Sequence, residues 1–186
     1  MYKIDNMVKK NTLEEGQIYV IKLSNGLFTL TQLINHHVVT ERKSEDTFAF
    51  FNYLFTTLEN IQDEAFKLDY SNPIAITTIN GYPKTYGWMF LGKQEISISF
   101  DYKKNISSLG FYNNQSTDPS LFLEPYFGLF PWDGYYKENY VEEELLPNAE
   151  IRKDIKFLKD FTIEELKKLL PANSPKLIQR LKEENR

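Results

Sequence analysis

The sequence predicts an α+β protein: an antiparallel body, barrel-like or a strongly curved β-sheet, followed by a C-terminal helical tail. Three observations carry this. Short β-prone runs punctuated by Gly, Asn and Pro recur between residues 16 and 112. A segment rich in aromatics, Pro and Gly follows, DPSLFLEPYFGLFPWDGYYKENY from Asp118 to Tyr140. After Pro147 the pattern changes to helical spacing with basic residues. The chain therefore divides into a β-rich domain, residues 1–147, and a basic helical extension, residues 148–186.

The first two strands are predicted at about 17–23 and 27–34. Ile18 and Val20, then Phe28 and Leu30, alternate on either side of Ser24-Asn25-Gly26. Asn-Gly between two such runs is a strong hairpin signal, and the positive φ of Gly suits a type I′ turn. Thr47 to Leu58 is ambiguous, since its aromatics fit a strand in the first half and a helical face through Phe51, Leu54, Phe55 and Leu58. The acidic LENIQDEAF that follows reads as helix. Further strands are expected at Pro73–Ile79, at Trp88–Leu91 and at Glu95–Tyr102, where Ile96, Ile98 and Phe100 alternate with Ser97, Ser99 and Asp101. Leu109–Tyr112 is a further candidate. Pro119, Pro125 and Pro131 interrupt the aromatic segment, which reads as a loop pinned to the sheet by its rings.

The tail carries explicit helix signals. Thr162 and Glu165 form a capping box ahead of Leu166, Leu169 and Leu170. Ser174-Pro175 reads as an N-cap with Pro at the first helical position, ahead of Leu177, Ile178 and Leu181. Residues 151–160 are a candidate for a shorter helix.

Composition removes several function classes. The chain has no cysteine, which excludes disulfides, thiolate metal sites and Cys nucleophiles. It has no G-x-S-x-G elbow, no Walker A loop and no H-E-x-x-H. The two histidines, His36 and His37, are adjacent. On a strand such neighbours point to opposite faces, so a shared metal is disfavoured and a surface pair at a strand end is expected. No cofactor is called for. The N-terminus lacks the apolar run of a secretory signal, and no stretch approaches the roughly 20 apolar residues of a membrane span, so a cytoplasmic protein is expected.

Charge is unevenly distributed. Residues 151–186 hold 10 Lys/Arg and 6 Asp/Glu, a net of +4, against 12 and 20 in residues 1–150, a net of −8. An acidic body disfavours nucleic acid, which is bound by neutralising phosphates, and suits a basic protein partner.

Three stretches together resemble the immunity protein 26 family of bacterial polymorphic toxin systems. They are Gly16-x-x-Tyr19-x-Ile21-x-Leu23-x-x-Gly26-x-Phe28, the Tyr86-Gly87-Trp88 strand and Gly128-Leu129-Phe130-Pro131-Trp132-Asp133-Gly134. The resemblance covers about residues 12–140 and leaves the tail outside it. It implies a small cytosolic β-rich protein that binds a toxin domain. Some relatives carry a phosphotriesterase label, but this sequence lacks the several histidines such a metal site uses.

The residues themselves support a binding role. Aromatics make up 15% of the chain, including 12 Tyr and 14 Phe. Tyr and Trp suit interfaces because a ring can be buried while its polar tip stays wet. The candidate partner-binding residues are Trp132, Asp133, Tyr135, Tyr136, Glu138, Glu142, Glu143 and Glu144. Tyr135 and Tyr136 would anchor, and the acids would steer a basic toxin. Trp132 reads first as a plug for one end of a barrel and second as an interface ring. The leading expectation is an immunity protein acting by occlusion, without catalysis. The alternatives are a small-ester or phosphoester hydrolase and a regulatory protein-interaction module.

Overall fold

The structure, a computed structural model, describes residues 13–40, 43–79, 82–105 and 118–184. Five strands form one antiparallel sheet: β1 (Gln17–Lys22), β2 (Phe28–Thr40), β3 (Lys43–Phe50), β4 (Ala75–Ile79) and β5 (Met89–Lys93). Their spatial order is β4-β3-β2-β1-β5, with β4 and β5 at opposite edges. The sheet is therefore open and curved, and the barrel alternative does not hold. Among the described residues six α-helices accompany it: α1 (Leu58–Glu64), α2 (Tyr102–Asn105), α3 (Ser120–Tyr126), α4 (Tyr140–Glu144), α5 (Ile163–Leu169) and α6 (Pro175–Glu184). Among the described residues no helix is long and apolar enough to cross a membrane.

The β1–β2 hairpin falls where Ser24-Asn25-Gly26 predicts it, but the turn is of another type. Gly26 has φ +86°, while no described residue other than glycine has positive φ. Asn25 therefore cannot sit in a type I′ turn, which needs positive φ at both central positions. The Gly26 amide donates to the Leu23 carbonyl (3.0 Å) and the Leu23 amide to the Leu27 carbonyl (2.8 Å). This is a three-residue loop whose last residue is left-handed, and the Asn25 side chain closes it by accepting from the Leu27 amide at 3.0 Å.

Both faces of the sheet are covered, so β1 and β4 are almost wholly buried instead of alternating between core and solvent. On the first face Tyr19, Leu33, Phe48 and Phe50 pack against Trp88, Phe122, Tyr126 and Trp132. The rings meet edge to face, with Phe50 5.2 Å from Phe122 and Phe48 5.2 Å from Trp88. On the second face Ile18, Val20, Leu30, Ala49 and Phe51 pack against Ile61 of α1, Tyr70 and Tyr102. The ambiguous Thr47–Leu58 stretch is resolved by this layering: strand to Phe50, irregular chain, then α1 beginning after its cap Thr57.

One predicted strand is absent. Glu95–Tyr102 keeps its alternation, with Ile96, Ile98 and Phe100 half-buried against the second-face cluster. It joins no ladder, however; its Ser99 amide makes a separate bond to the Ser71 carbonyl (3.0 Å). Alternation reports a chain with one buried side, and a pairing partner is a further requirement that this segment does not meet. The Leu109–Tyr112 candidate lies outside the described residues.

The aromatic segment is more helical than its prolines suggest. It contains α3, with Pro125 inside it, and leads into α4. The expectation that rings pin it to the sheet holds for Phe122, Tyr126, Phe127 and Trp132, all buried in the first-face core. Where α3 ends, Gly128 donates to the Pro125 carbonyl (3.0 Å) and Leu129 to the Glu124 carbonyl (2.8 Å). This pair of bonds is a Schellman motif, and Gly128 occupies its left-handed position at φ +69°.

In the tail the predicted capping box is present: Thr162 and Glu165 exchange backbone and side-chain bonds ahead of α5. Residues 151–160 form only a short 3-10 turn, Leu158–Asp160, instead of a helix. Phe161, Leu166, Leu170 and Leu177 make a small core of their own, onto which Phe130 of the body packs.

Candidate functional site

The candidate residues lie between the end of α3 and the end of α4, and the tail packs beside them. Trp132 is 3% exposed and belongs to the core. Its indole N–H donates to the Glu142 carboxylate, and its amide donates to the Lys156 carbonyl of the tail (2.8 Å). Asp133 accepts from the Leu158 amide (2.8 Å). The Pro-Trp-Asp-Gly string thus fastens the tail to the body. Gly128 takes part as well: a Cβ there would stand 2.7 Å from the Asp154 carbonyl oxygen.

Tyr135 is half-buried. It stacks on Phe130 at 4.8 Å and is tilted against Tyr140 at 4.6 Å. Its hydroxyl donates to the Leu121 carbonyl (2.7 Å). That carbonyl lies four residues before Pro125, so proline has removed its helical donor, and Tyr135 supplies a replacement. Burial pushes the Tyr135 hydroxyl well above its ordinary range, and the neighbouring Tyr140 adds to this. Tyr136, the next residue, is 93% exposed.

The three consecutive glutamates do not form one solvated face. Glu142 holds the Trp132 indole. Glu143 pairs with Lys137 and accepts from the Asn139 side chain. Glu144 turns inward and is 6% exposed. Burial pushes its carboxyl up to about 7, against the opposing pull of the nearby Tyr140 hydroxyl. Neither Glu144 oxygen completes a hydrogen bond among the described residues. Tyr140 is in turn pushed up to about 12 by burial and by Glu144. Glu138 is exposed and faces Lys176 of α6 at 3.4 Å.

From Asp118 to Glu144 the carboxylates are Asp118, Glu124, Asp133, Glu138, Glu142, Glu143 and Glu144, against the lone cation Lys137. This segment forms one wall of a groove of about 670 Å³. Leu121, Phe130, Tyr135 and Tyr136 line that wall, and Leu169, Leu170 and Lys176 line the tail side. The sequence showed the aromatics and acids but gave no sign of the groove, because its second wall comes from helices more than 30 residues away.

A second arrangement lies on the β2–β3 hairpin. The register sets His36 opposite Asp46 and His37 opposite Glu45, so the two imidazoles stand on opposite faces. Asp46 is 1% exposed and accepts from Ser44 Oγ (2.8 Å). It also meets His36 Nδ1. A carboxylate only accepts, so Nδ1 is the donor in this contact. Sequence reasoning passed over Asp46, and only the cross-strand register pairs it with His36.

Comparison of the chain with protein families, curated proteins and solved structures finds no match.

Proposed function

We propose that the chain is a cytoplasmic immunity protein that binds a cognate bacterial toxin domain and neutralises it by occlusion. One observation carries the reading: the aromatic segment presents the open ring of Tyr136, two residues before the exposed carboxylate of Glu138, at a groove lined largely by apolar side chains. A surface of this kind speeds encounter with a basic partner and gives it an aromatic contact to bury. The resemblance of the Gly-Leu-Phe-Pro-Trp-Asp-Gly string supports the same reading. Within it, Trp132, Asp133 and Tyr135 build the surface, while Tyr136, Glu138, Glu142 and Glu143 meet the partner. Co-expression with the toxin domain of the neighbouring secreted protein tests it: the chain protects the cells, and growth arrest despite its expression refutes the proposal.

The hydrolase reading is favoured by one arrangement, the His36–Asp46 pair, in which a buried carboxylate orients an imidazole as a general base would require. Turnover of simple esters or phosphoesters that disappears in His36→Asn would support it. Rates equal in the two proteins would remove it.

A further inference from the structure

We propose that the groove between the aromatic segment and the C-terminal helices seats a basic, extended segment of the protein partner, so that the tail forms half of the binding site. This rests on the binding reading above and specifies where the partner sits and what chemistry it brings.

The tail is fixed to the body along one line. The bonds from Trp132 to Lys156 (2.8 Å), from Leu158 to Asp133 (2.8 Å) and from the Tyr126 hydroxyl to the Glu150 carbonyl (2.7 Å) define it. Beyond that line the end of α5 and the start of α6 stand away from the aromatic segment and leave the cavity of about 670 Å³. Its size lies in the range that buries a ligand of several side chains. Leu121, Phe130, Tyr135, Leu169, Leu170 and Pro171 give it an apolar lining. The helices that supply the second wall are held by their own core of Phe161, Leu166, Leu170 and Leu177.

Two charged side chains, Glu124 and Lys176, line the groove, and Glu138 meets it through Lys176. Glu124 lines the groove but is committed, since it accepts from the Ser24 amide (2.8 Å) and hydroxyl (2.5 Å). Glu138 is not committed in that way. Its contact is Lys176 at 3.4 Å, a long ion pair between an exposed carboxylate and a lysine side chain that is 22% exposed. Such a pair contributes little. An incoming Lys or Arg would take its place at Glu138 while a neighbouring apolar side chain fills the groove. The occupant is therefore a segment in which a basic residue adjoins a large apolar one. Lys176 acts as an internal competitor for the same carboxylate.

The test is selection of a random twelve-residue peptide library, displayed on phage, against the full chain. Expected are enriched sequences that pair Lys or Arg with an aromatic or large aliphatic residue. Gln179→Trp fills the groove from the exposed side of α6, and Ser120→Trp fills it from the opposite wall. Each should weaken capture of the selected peptides at least tenfold, while Lys182→Trp, an exposed site on α6 outside the groove, leaves it unchanged. Lys176→Gln should tighten capture severalfold. Matching thermal melts identify the filled variants that are folded. No enrichment, enrichment of acidic sequences, or equal capture by the folded groove-filled variants overturns the inference. The binding reading is judged separately. Cells protected by Gln179→Trp as well as by the native chain would reject the groove and keep the reading, and failure of the native chain to protect would reject the reading.

Discussion

Replacing Glu144 by Gln should remove a pH dependence of stability that the fold builds in. The Glu144 carboxyl is 6% exposed, and burial raises it from 4.5 to about 7. The folded state therefore holds this proton more tightly than the unfolded chain does. For a raised acid, stability is greatest below the unfolded value and falls as pH rises from 4.5 to about 7, where the folded group ionises; above that it is level. Each pH unit in the window is worth about 1.4 kcal/mol, so the loss comes to about 3 kcal/mol. That is a large share of the roughly 5–15 kcal/mol that holds an ordinary domain together. Glu144→Gln keeps the shape and cannot ionise. The assay is urea unfolding of both proteins at intervals between pH 4.5 and pH 8. The variant should gain on the native chain by about 3 kcal/mol across the series, whatever the other groups contribute to both curves. In thermal melts the same gain is a relative shift of roughly 6–12 °C. A difference between the two proteins that stays constant with pH would refute the reasoning.

Tyr135→Phe leaves the Leu121 carbonyl without its donor and should lower stability by about 1–3 kcal/mol in urea unfolding. The same change made on a Pro125→Ala background should cost less, because alanine at that position restores the helical amide; an additive double-mutant cycle would contradict this. Asp133→Ala removes the acceptor of the Leu158 amide and should speed proteolytic cleavage within residues 150–160, read by mass spectrometry, while cleavage elsewhere is unchanged. Reversing Glu138 and Glu143 to Lys, with Glu142 left on the Trp132 indole, should slow association with the toxin domain severalfold in low salt. The two rates should converge at high salt; an unchanged low-salt rate would remove these acids from steering.

Local signals in the sequence were legible where one short stretch decides the outcome. Ser24-Asn25-Gly26 marked the hairpin, and Thr162 with Glu165 marked the start of α5, because caps and turns are built from neighbours in the chain. The turn type was misread because Asn-Gly suits a two-residue loop that would pair Ser24 with Leu27, whereas the strands close one residue earlier, with Leu23 bonded to Leu27. Glu95–Tyr102 misled for a different reason: its side chains record burial on one side, while its Ser99 amide bonds the Ser71 carbonyl outside any ladder. Pairings across long distances were invisible. Register irregularities in β2 near Leu33–Asn35 precede the His36–Asp46 pairing, and no local pattern announces them. Among the candidate residues, sequence separated neither Tyr135 from Tyr136 nor Glu144 from Glu142. The split follows from Pro125 freeing a carbonyl for Tyr135 and from the short turn of α4 aiming Glu144 at the core.

The central claim is that this protein acts by blocking a partner and leaves that partner chemically unchanged. Titrating the purified toxin domain with the chain, with residual toxin activity as the readout, tests it most directly. Inhibition should reach completion at one equivalent, and toxin recovered from the denatured complex should have its original mass and regain activity on refolding. Complete inactivation at a small fraction of an equivalent, with a changed toxin mass, would show catalysis and contradict the account.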